Sequence, residues 1–297
     1  MSVAPHDRRT LTPLEPLVDR VEATRELDRV GTTVGKLVRG VLSPGALKDA
    51  IAGTWLGHPI HPTLTDGVIG FFLSATAIDL LGGSRSGRAQ QRLIGAGLAA
   101  AVPTVVTGVT DYADSERGSG AVRRVGVLHA FSNFSVIALY GGSLIARVRG
   151  ERGTGTALSL GGAAMLTVGG YLGGHLTLAR GIGTNQTAYD PGPDDWVAAA
   201  DVAQLPDGQP TRVVIDETPV LVLRNGDRIL ALHDRCAHRG CPLHEGEIDG
   251  DHVICPCHGS TFDLRTGAIV RGPATHPQPA FEARVVNERV ELRRAFG

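Results

Sequence analysis

The pattern of apolar and polar positions changes three times along the chain. Over residues 1–57, Leu17, Val21, Val34, Leu37 and Val41 fall at near-helical spacing among Arg20, Arg25, Arg29, Lys36 and Arg39. That stretch predicts amphipathic helices, which either pack one face on the rest of the protein or lie in a membrane interface. Four apolar segments follow at about 64–83, 93–110, 126–147 and 157–179, separated by loops rich in Gly, Ser and Arg. Each is close to the roughly 20 residues that a helix needs to cross a bilayer. Asp66 and Asp79 interrupt the first segment, so a soluble helical bundle is the alternative. The fourth segment counts against that alternative with Gly161, Gly162, Gly169, Gly170, Gly173 and Gly174. Each glycine costs a soluble helix about 1 kcal/mol relative to alanine, whereas between membrane helices it permits close approach. Residues 181–195 are turn-rich and carry no apolar period. Trp196 then opens short β-like runs at 212–215, 220–224, 229–233, 283–286 and 289–292, with Asn225-Gly226 as a hairpin turn.

The expected architecture is therefore multidomain α + β. An amphipathic N-terminal region (1–57) precedes a four-helix transmembrane bundle (58–180), a linker (181–195) and a small all-β domain (196–297). A chain of 297 residues has room for two such units. The mean hydropathy of +0.04 averages over these unlike parts. A net charge of -1 and a pI near 6.8 give no basic footprint for nucleic acid. All four cysteines lie between Cys236 and Cys257, which reads as one local site and not as a dispersed disulfide framework. Residues Met1–Leu14 carry Asp7, Arg8 and Arg9 and no uninterrupted apolar run, so no signal peptide is expected.

The chemistry concentrates in Cys236-Ala-His238 and, sixteen residues on, Cys255-Pro-Cys257-His258. Two Cys/His pairs on two loops suit either a [2Fe-2S] centre with mixed ligands or a tetrahedral zinc. The surrounding runs CAHRGCPLHEG, CPCHGSTFDLRTG and RGPA closely resemble the Rieske iron-sulfur family. That resemblance implies a [2Fe-2S] cluster with Cys236 and Cys255 on one iron and His238 and His258 on the other, the exposed edges of the two histidines being the point of electron exchange. It also implies a Cys241–Cys257 disulfide tying the two loops together and a Ser260 hydroxyl hydrogen-bonded to a cluster sulfur. Phe262 stands where the Rieske proteins of cytochrome bc complexes usually have Tyr. One donor fewer to the reduced cluster predicts a potential below theirs and above plant-type ferredoxins. His233, His244, His252 and His276 fit no ligand slot and are expected at the surface. The chain ends soon after the β domain, so it is not expected to be a ring hydroxylase by itself.

The run Gly57-His-Pro-Ile-His-Pro62 resembles an uncharacterised bacterial four-helix membrane family with a Gly-His-Pro-x-His-Pro motif, and the likeness extends over about 47–185. It implies topology and no activity. Four spans would gather His58, His61, Asp111, Asp114, His129 and His175 on the side where the β domain emerges. His58, His61, His129 and His175 are thus candidates for a second metal or a haem. The expected function is a multi-pass cell-membrane protein moving single electrons to or from a quinol or a small redox carrier. The alternatives are an oxidoreductase whose helical metal site is fed by the cluster, and a redox-sensing module. Orientation is divided. Arg85, Arg88, Arg92, Arg147, Arg149 and Arg152 in the far loops and a disulfide favour an extracytoplasmic head, whereas Arg117, Arg123 and Arg124 lie on the head side and the charged N-terminal region would have to be exported with the head.

Overall fold

The computed structural model describes residues 14–82 and 87–295. Asp7, Arg8, Arg9 and Arg85 lie outside the described residues, as does most of the segment read for a signal peptide.

Among the described residues three short helices come first: α1 (Glu15–Ala23), α2 (Leu27–Val41) and α3 (Ala46–Ala52). On α2 the apolar stripe does not face the protein. Val30, Val34, Leu37 and Val41 are exposed, the last at 82%, while Gly31 and Gly35 are buried against Tyr112, Arg123 and Glu116. Ion pairs attach this region to the helices behind it. Arg124 and Arg123 bond Asp28, at 2.7 Å and 3.3 Å, and Arg39 and Arg123 bond Glu116, at 2.8 Å and 2.9 Å.

Four long helices follow: α4 (Ile60–Leu81), α5 (Gly87–Ser115), α6 (Gly120–Val148) and α7 (Arg152–Gly174), the last running into a π-helical turn at His175–Ala179. Pro59 ends the extended backbone before α4, and Pro62 sits in its first turn, where a missing N–H costs no helical bond. Among the described residues three helices, α4, α5 and α6, are long and apolar enough to cross a membrane. The fourth expected span exists as a helix, α7, but glycines and hydroxyls dilute its apolarity. Those glycines act as the spacing suggests. A Cβ on Gly162 would come within 2.7 Å of the Tyr140 ring, and the buried Gly155, Gly162 and Gly169 form a seven-residue stripe that brings α7 onto α6. Tyr140 in turn stacks on Phe72 with ring centroids 4.1 Å apart and bonds Thr76 at 2.7 Å, at the centre of a core with Val68, Ile94, Val136 and Leu166.

Away from the head, the bundle is closed by a buried ion pair. Arg147 bonds Asp79, whose other oxygen accepts from Gln90 at 2.8 Å, and Ser143 accepts from the Arg147 Nε at 3.1 Å. Arg147 is therefore not a loop cation, as the sequence suggests, and Asp79 interrupts its helix without being unpartnered.

The described residues of the head form ten strands: β1 (Val197–Asp201), β2 (Pro210–Ile215), β3 (Thr218–Asn225), β4 (Arg228–His233), β5 (Glu247–Asp249), β6 (His252–Ile254), β7 (Thr261–Asp263), β8 (Ile269–Arg271), β9 (Ala280–Val286) and β10 (Arg289–Arg294). Six form an antiparallel sheet in the order β1-β10-β9-β4-β3-β2, and four form a second in the order β5-β6-β7-β8. The Asn225-Gly226 hairpin is present, with Asn225 opposite Arg228 and Gly226 at φ 62°. β3 and β4 are buried on both faces: Leu221, Leu223 and Leu232 fill a core beneath the cysteine loops, and Val220, Val222 and Ala231 fill a second on the opposite face.

Two attachments fix the head on the helices. The linker is strapped to it: Gln186 N–H donates to Ala237 O at 3.0 Å, and Asp190 accepts from Thr218 and from His233. Below, Arg271 reaches Asp49 on α3 at 3.4 Å and the Thr54 hydroxyl donates to Ala274 O at 3.2 Å, while a buried Lys48–Asp114 ion pair at 2.8 Å holds α3 itself on α5.

Candidate metal centre

Two loops of similar design hold the cysteine and histidine pairs. After β4, Cys236 N–H donates to Cys241 O at 2.9 Å and Gly240 N–H to Cys236 O at 2.8 Å. After β6, Cys255 N–H donates to Ser260 O at 2.8 Å and Gly259 N–H to Cys255 O at 3.1 Å. Each turn closes on a glycine at positive φ, Gly240 at 74° and Gly259 at 80°, a backbone region that side chains rarely adopt. The disulfide Cys241–Cys257 joins the loops, its Cα atoms 6.4 Å apart.

Between them lie two unlike pairs. Cys236 and Cys255 are buried free thiols, hydrogen-bonded to each other. That contact draws Cys255 down to about 7 while it and burial hold Cys236 well up, so the pair gives up one proton easily and keeps the other. His238 and His258 stand edge to face with ring centroids 5.1 Å apart. Burial pushes His238 well below the usual imidazole range and His258 to about 4, so both rings are neutral near pH 7 and keep lone pairs for a metal. The His238 Nδ1 is buried with no hydrogen-bond partner. The donors stand as a thiol pair and an imidazole pair, which suits two irons.

Residues 195–282 match the Rieske [2Fe-2S] domain family, and residues 57–186 match the predicted membrane protein family DUF2231. The chain is 33% identical over 98 residues to the anthranilate 1,2-dioxygenase ferredoxin subunit of Burkholderia cepacia, a stretch covering 33% of this chain and 91% of that protein. The chain belongs to the Rieske family. It is also 36% identical over 91 residues to the 3-phenylpropionate/cinnamic acid dioxygenase ferredoxin subunit of Escherichia coli K12, over 30% of this chain and 84% of the relative. Among solved structures, the ferredoxin of carbazole 1,9a-dioxygenase from Nocardioides aromaticivorans IC177 shares 30% identity, covering 34% of this chain and 98% of that one with a TM-score of 0.32. The Rieske head is an iron-sulfur electron carrier with a [2Fe-2S] cluster, here fused to a DUF2231 helical domain.

Supporting contacts around the Rieske loops include one that sequence reasoning missed. Gln278 is 1% exposed; its Oε1 accepts from Ala237 N–H at 2.9 Å, and its Nε2 donates to His233 O and Arg235 O at 2.6 Å and 2.7 Å. It fixes the backbone on both sides of Cys236, and nothing about an isolated Gln in the sequence signals that. Ser260 is fully buried, and its Oγ accepts from Ala274 N–H at 3.0 Å, which leaves its own proton to donate. Phe262 is fully buried in the core below the cysteines.

Three expectations need correction. His233 is not a surface residue: it is 0% exposed, donates from Nε2 to Asp190 at 3.0 Å and accepts from Arg235 N–H at Nδ1, because the linker folds over it. His238 and His258 do not present open edges. Both are partly buried against the helical domain; His238 lines a small cleft with Ala52, Pro59, Asp111, Pro273 and His276, and Asp114, Lys48 and Arg117 surround His258. The four histidines proposed for a second metal or haem do not form one ligand set. His58 faces the His276 ring at 5.6 Å, His61 bonds Thr104 O and the Thr107 hydroxyl, His129 bonds Gly169 O at 2.9 Å, and His175 bonds Glu22 at 2.9 Å.

Proposed function

We propose that this protein is a membrane-bound one-electron carrier whose cluster is held by Cys236 and Cys255 on one iron and by His238 and His258 on the other. The observation that carries the assignment is the pair of buried free thiols beside a pair of neutral imidazoles. When bound, the cluster supplies reversible one-electron storage, at a potential raised by exchanging two thiolate charges for imidazoles. The chain's own residues do the rest. The Cys241–Cys257 disulfide and Gln278 hold the two loops in register, Ser260 offers a hydroxyl proton inside the shell, and the helical domain beneath the head covers part of both histidines.

The membrane assignment rests on α4, α5 and α6, on the family match, and on the outward apolar stripe of α2, which suits a helix lying in the headgroup layer. The disulfide and the cations Arg88, Arg92, Arg149 and Arg152 at the far ends of the helices support a head on the outer, oxidising side. The exchange partner in this reading is a quinol or a small redox carrier. With both histidines turned into the helical domain, a lipophilic partner reaching them through the bundle fits better than a soluble protein docking on the head.

Iron, acid-labile sulfide and EPR measurements on the detergent-solubilised chain test the assignment. Two irons and two sulfides per chain and a Rieske signal after dithionite reduction are expected, all lost in C236S and H258A. A sulfide-free protein carrying one zinc would overturn it.

A further inference from the structure

A cavity of about 390 Å³ opens inside the helical bundle directly beneath the head. Its walls are mostly apolar and come from α4, α5, α6 and α7, with Phe72 among them, and one residue of the head, Arg239, reaches into it. The polar groups it gathers are unequal. His129 is committed at both nitrogens, donating to Gly169 O and meeting the Asn133 amide at 3.1 Å. His61 holds its Nδ1 proton on Thr104 O at 3.1 Å, which leaves Nε2 as a lone pair. Arg239 is the outlier: its Nε and Nη1 are buried with no hydrogen-bond partner. A buried guanidinium without acceptors costs more than an ordinary lost hydrogen bond, so such donors mark a place where an acceptor belongs.

The position is as informative as the chemistry. Arg239 follows His238 in the chain, and Pro59, Asp111, Gly183 and Arg239 line both this cavity and the cleft at His238. Two lining residues between α6 and α7, Phe134 and Gly170, are exposed on the outside of the bundle, so the cavity reaches the face that lipid would cover. Asp111 and Asp114 already face the Arg239 charge, which disfavours an anion such as a fatty-acid carboxylate. A neutral ring with an oxygen that accepts from Arg239 and a hydroxyl that donates to His61 Nε2, as a quinol has, satisfies both open groups.

We propose that this cavity of the DUF2231 domain is a binding site for a lipophilic quinone-class molecule, entering between α6 and α7 and held by Arg239 and His61 next to His238. The location is independent of the cluster; only its use as the point of electron exchange rests on the carrier reading above.

Equilibrium binding of decylubiquinol to the detergent-solubilised full chain, kept reduced, tests it, read as ligand retained per chain, alongside EPR of the reduced protein. A Cβ on Gly170 meets no heavy atom within 4 Å, so G170W can start an indole at the mouth from open space. Saturable binding near one per chain is expected, weakened about tenfold or more in both G170W and H61L, with the cluster signal retained. Uptake that does not saturate, or that is equal in wild type and H61L, is partition into micelles alone and would overturn the proposal. The same holds for unchanged affinity in a folded G170W; if that variant does not fold, H61L decides. Saturable, variant-sensitive binding to a chain without a Rieske signal would sustain the site and sink the carrier reading; a Rieske signal without binding would do the reverse.

Discussion

The two ends of the helical bundle each bury an arginine with an aspartate nearby, and they treat it in opposite ways. Away from the head, Arg147 is bonded to Asp79 and Ser143, and Gln90 takes the remaining carboxylate oxygen. Beneath the head, Arg239 has Asp111 and Asp114 in its neighbourhood but two donor atoms with no acceptor, and a cavity lies beside it. A buried charge whose hydrogen bonds are all made is architecture, and mutating it is felt as stability. One left open is a recognition element, felt as a loss of ligand.

The largest effect should come from breaking the closed end. R147M leaves Asp79 buried and uncompensated, and a loss of about 3–5 kcal/mol is expected, with most of it recovered in the D79L/R147M double variant. Thermal unfolding in detergent checks this, and R239M should change stability far less in the same assay. Next comes the head. C241S/C257S removes a cross-link over a separation of 16 residues, which should cost about 2–4 kcal/mol; the loss of the cluster's visible absorption on heating reports it.

The pH response comes third and belongs to the strap. Burial lowers the pKa of His233 in the folded chain, so the unfolded chain takes up the proton first as pH falls. The contribution of His233 should be level above pH ~6.5 and decline below it, toward the lowered native value, by at most about 1.4 kcal/mol per pH unit. Denaturant titrations between pH 8 and 5 measure the decline, and H233Q should make it shallower by that amount. Asp190, whose pKa the hydrogen bonds from Thr218 and His233 draw below the ordinary value despite burial, adds a further loss only at lower pH, as it is protonated. The smallest effects are electronic: S260A should lower the midpoint potential and F262Y raise it in an EPR-monitored redox titration, with the fold unchanged.

The pairing of the two cysteine and histidine loops was legible in the sequence because their chemistry is local: each loop carries its Cys, its His and its turn glycine within six residues. The bundle was legible from hydropathy and the glycine pairs for a similar reason. What was not legible depends on long-range pairing. Lys48 finds Asp114, Asp79 finds Arg147, and Asp190 covers His233, contacts for which no spacing rule exists. The four-histidine convergence failed on the same ground. Topology put those residues on one side, but their separate partners Thr104, Gly169, Glu22 and His276 are set by packing. The outward stripe of α2 shows a further gap: periodicity identified the apolar face and could not say what it faces.

The strap also bears on how this protein can be cut and recombined. Gln186 donates from its backbone to Ala237, between Cys236 and His238, while its side chain donates to Gly181 O at the end of α7 and accepts from Arg235. The boundary where composition changes, near residue 195, is therefore not where the head ends mechanically. A transplant that exchanges this head for a soluble ferredoxin, or moves it to another anchor, must carry residues 181–195 as part of the donor piece; a junction at 195 would sever the tie between helix end and ligand loop.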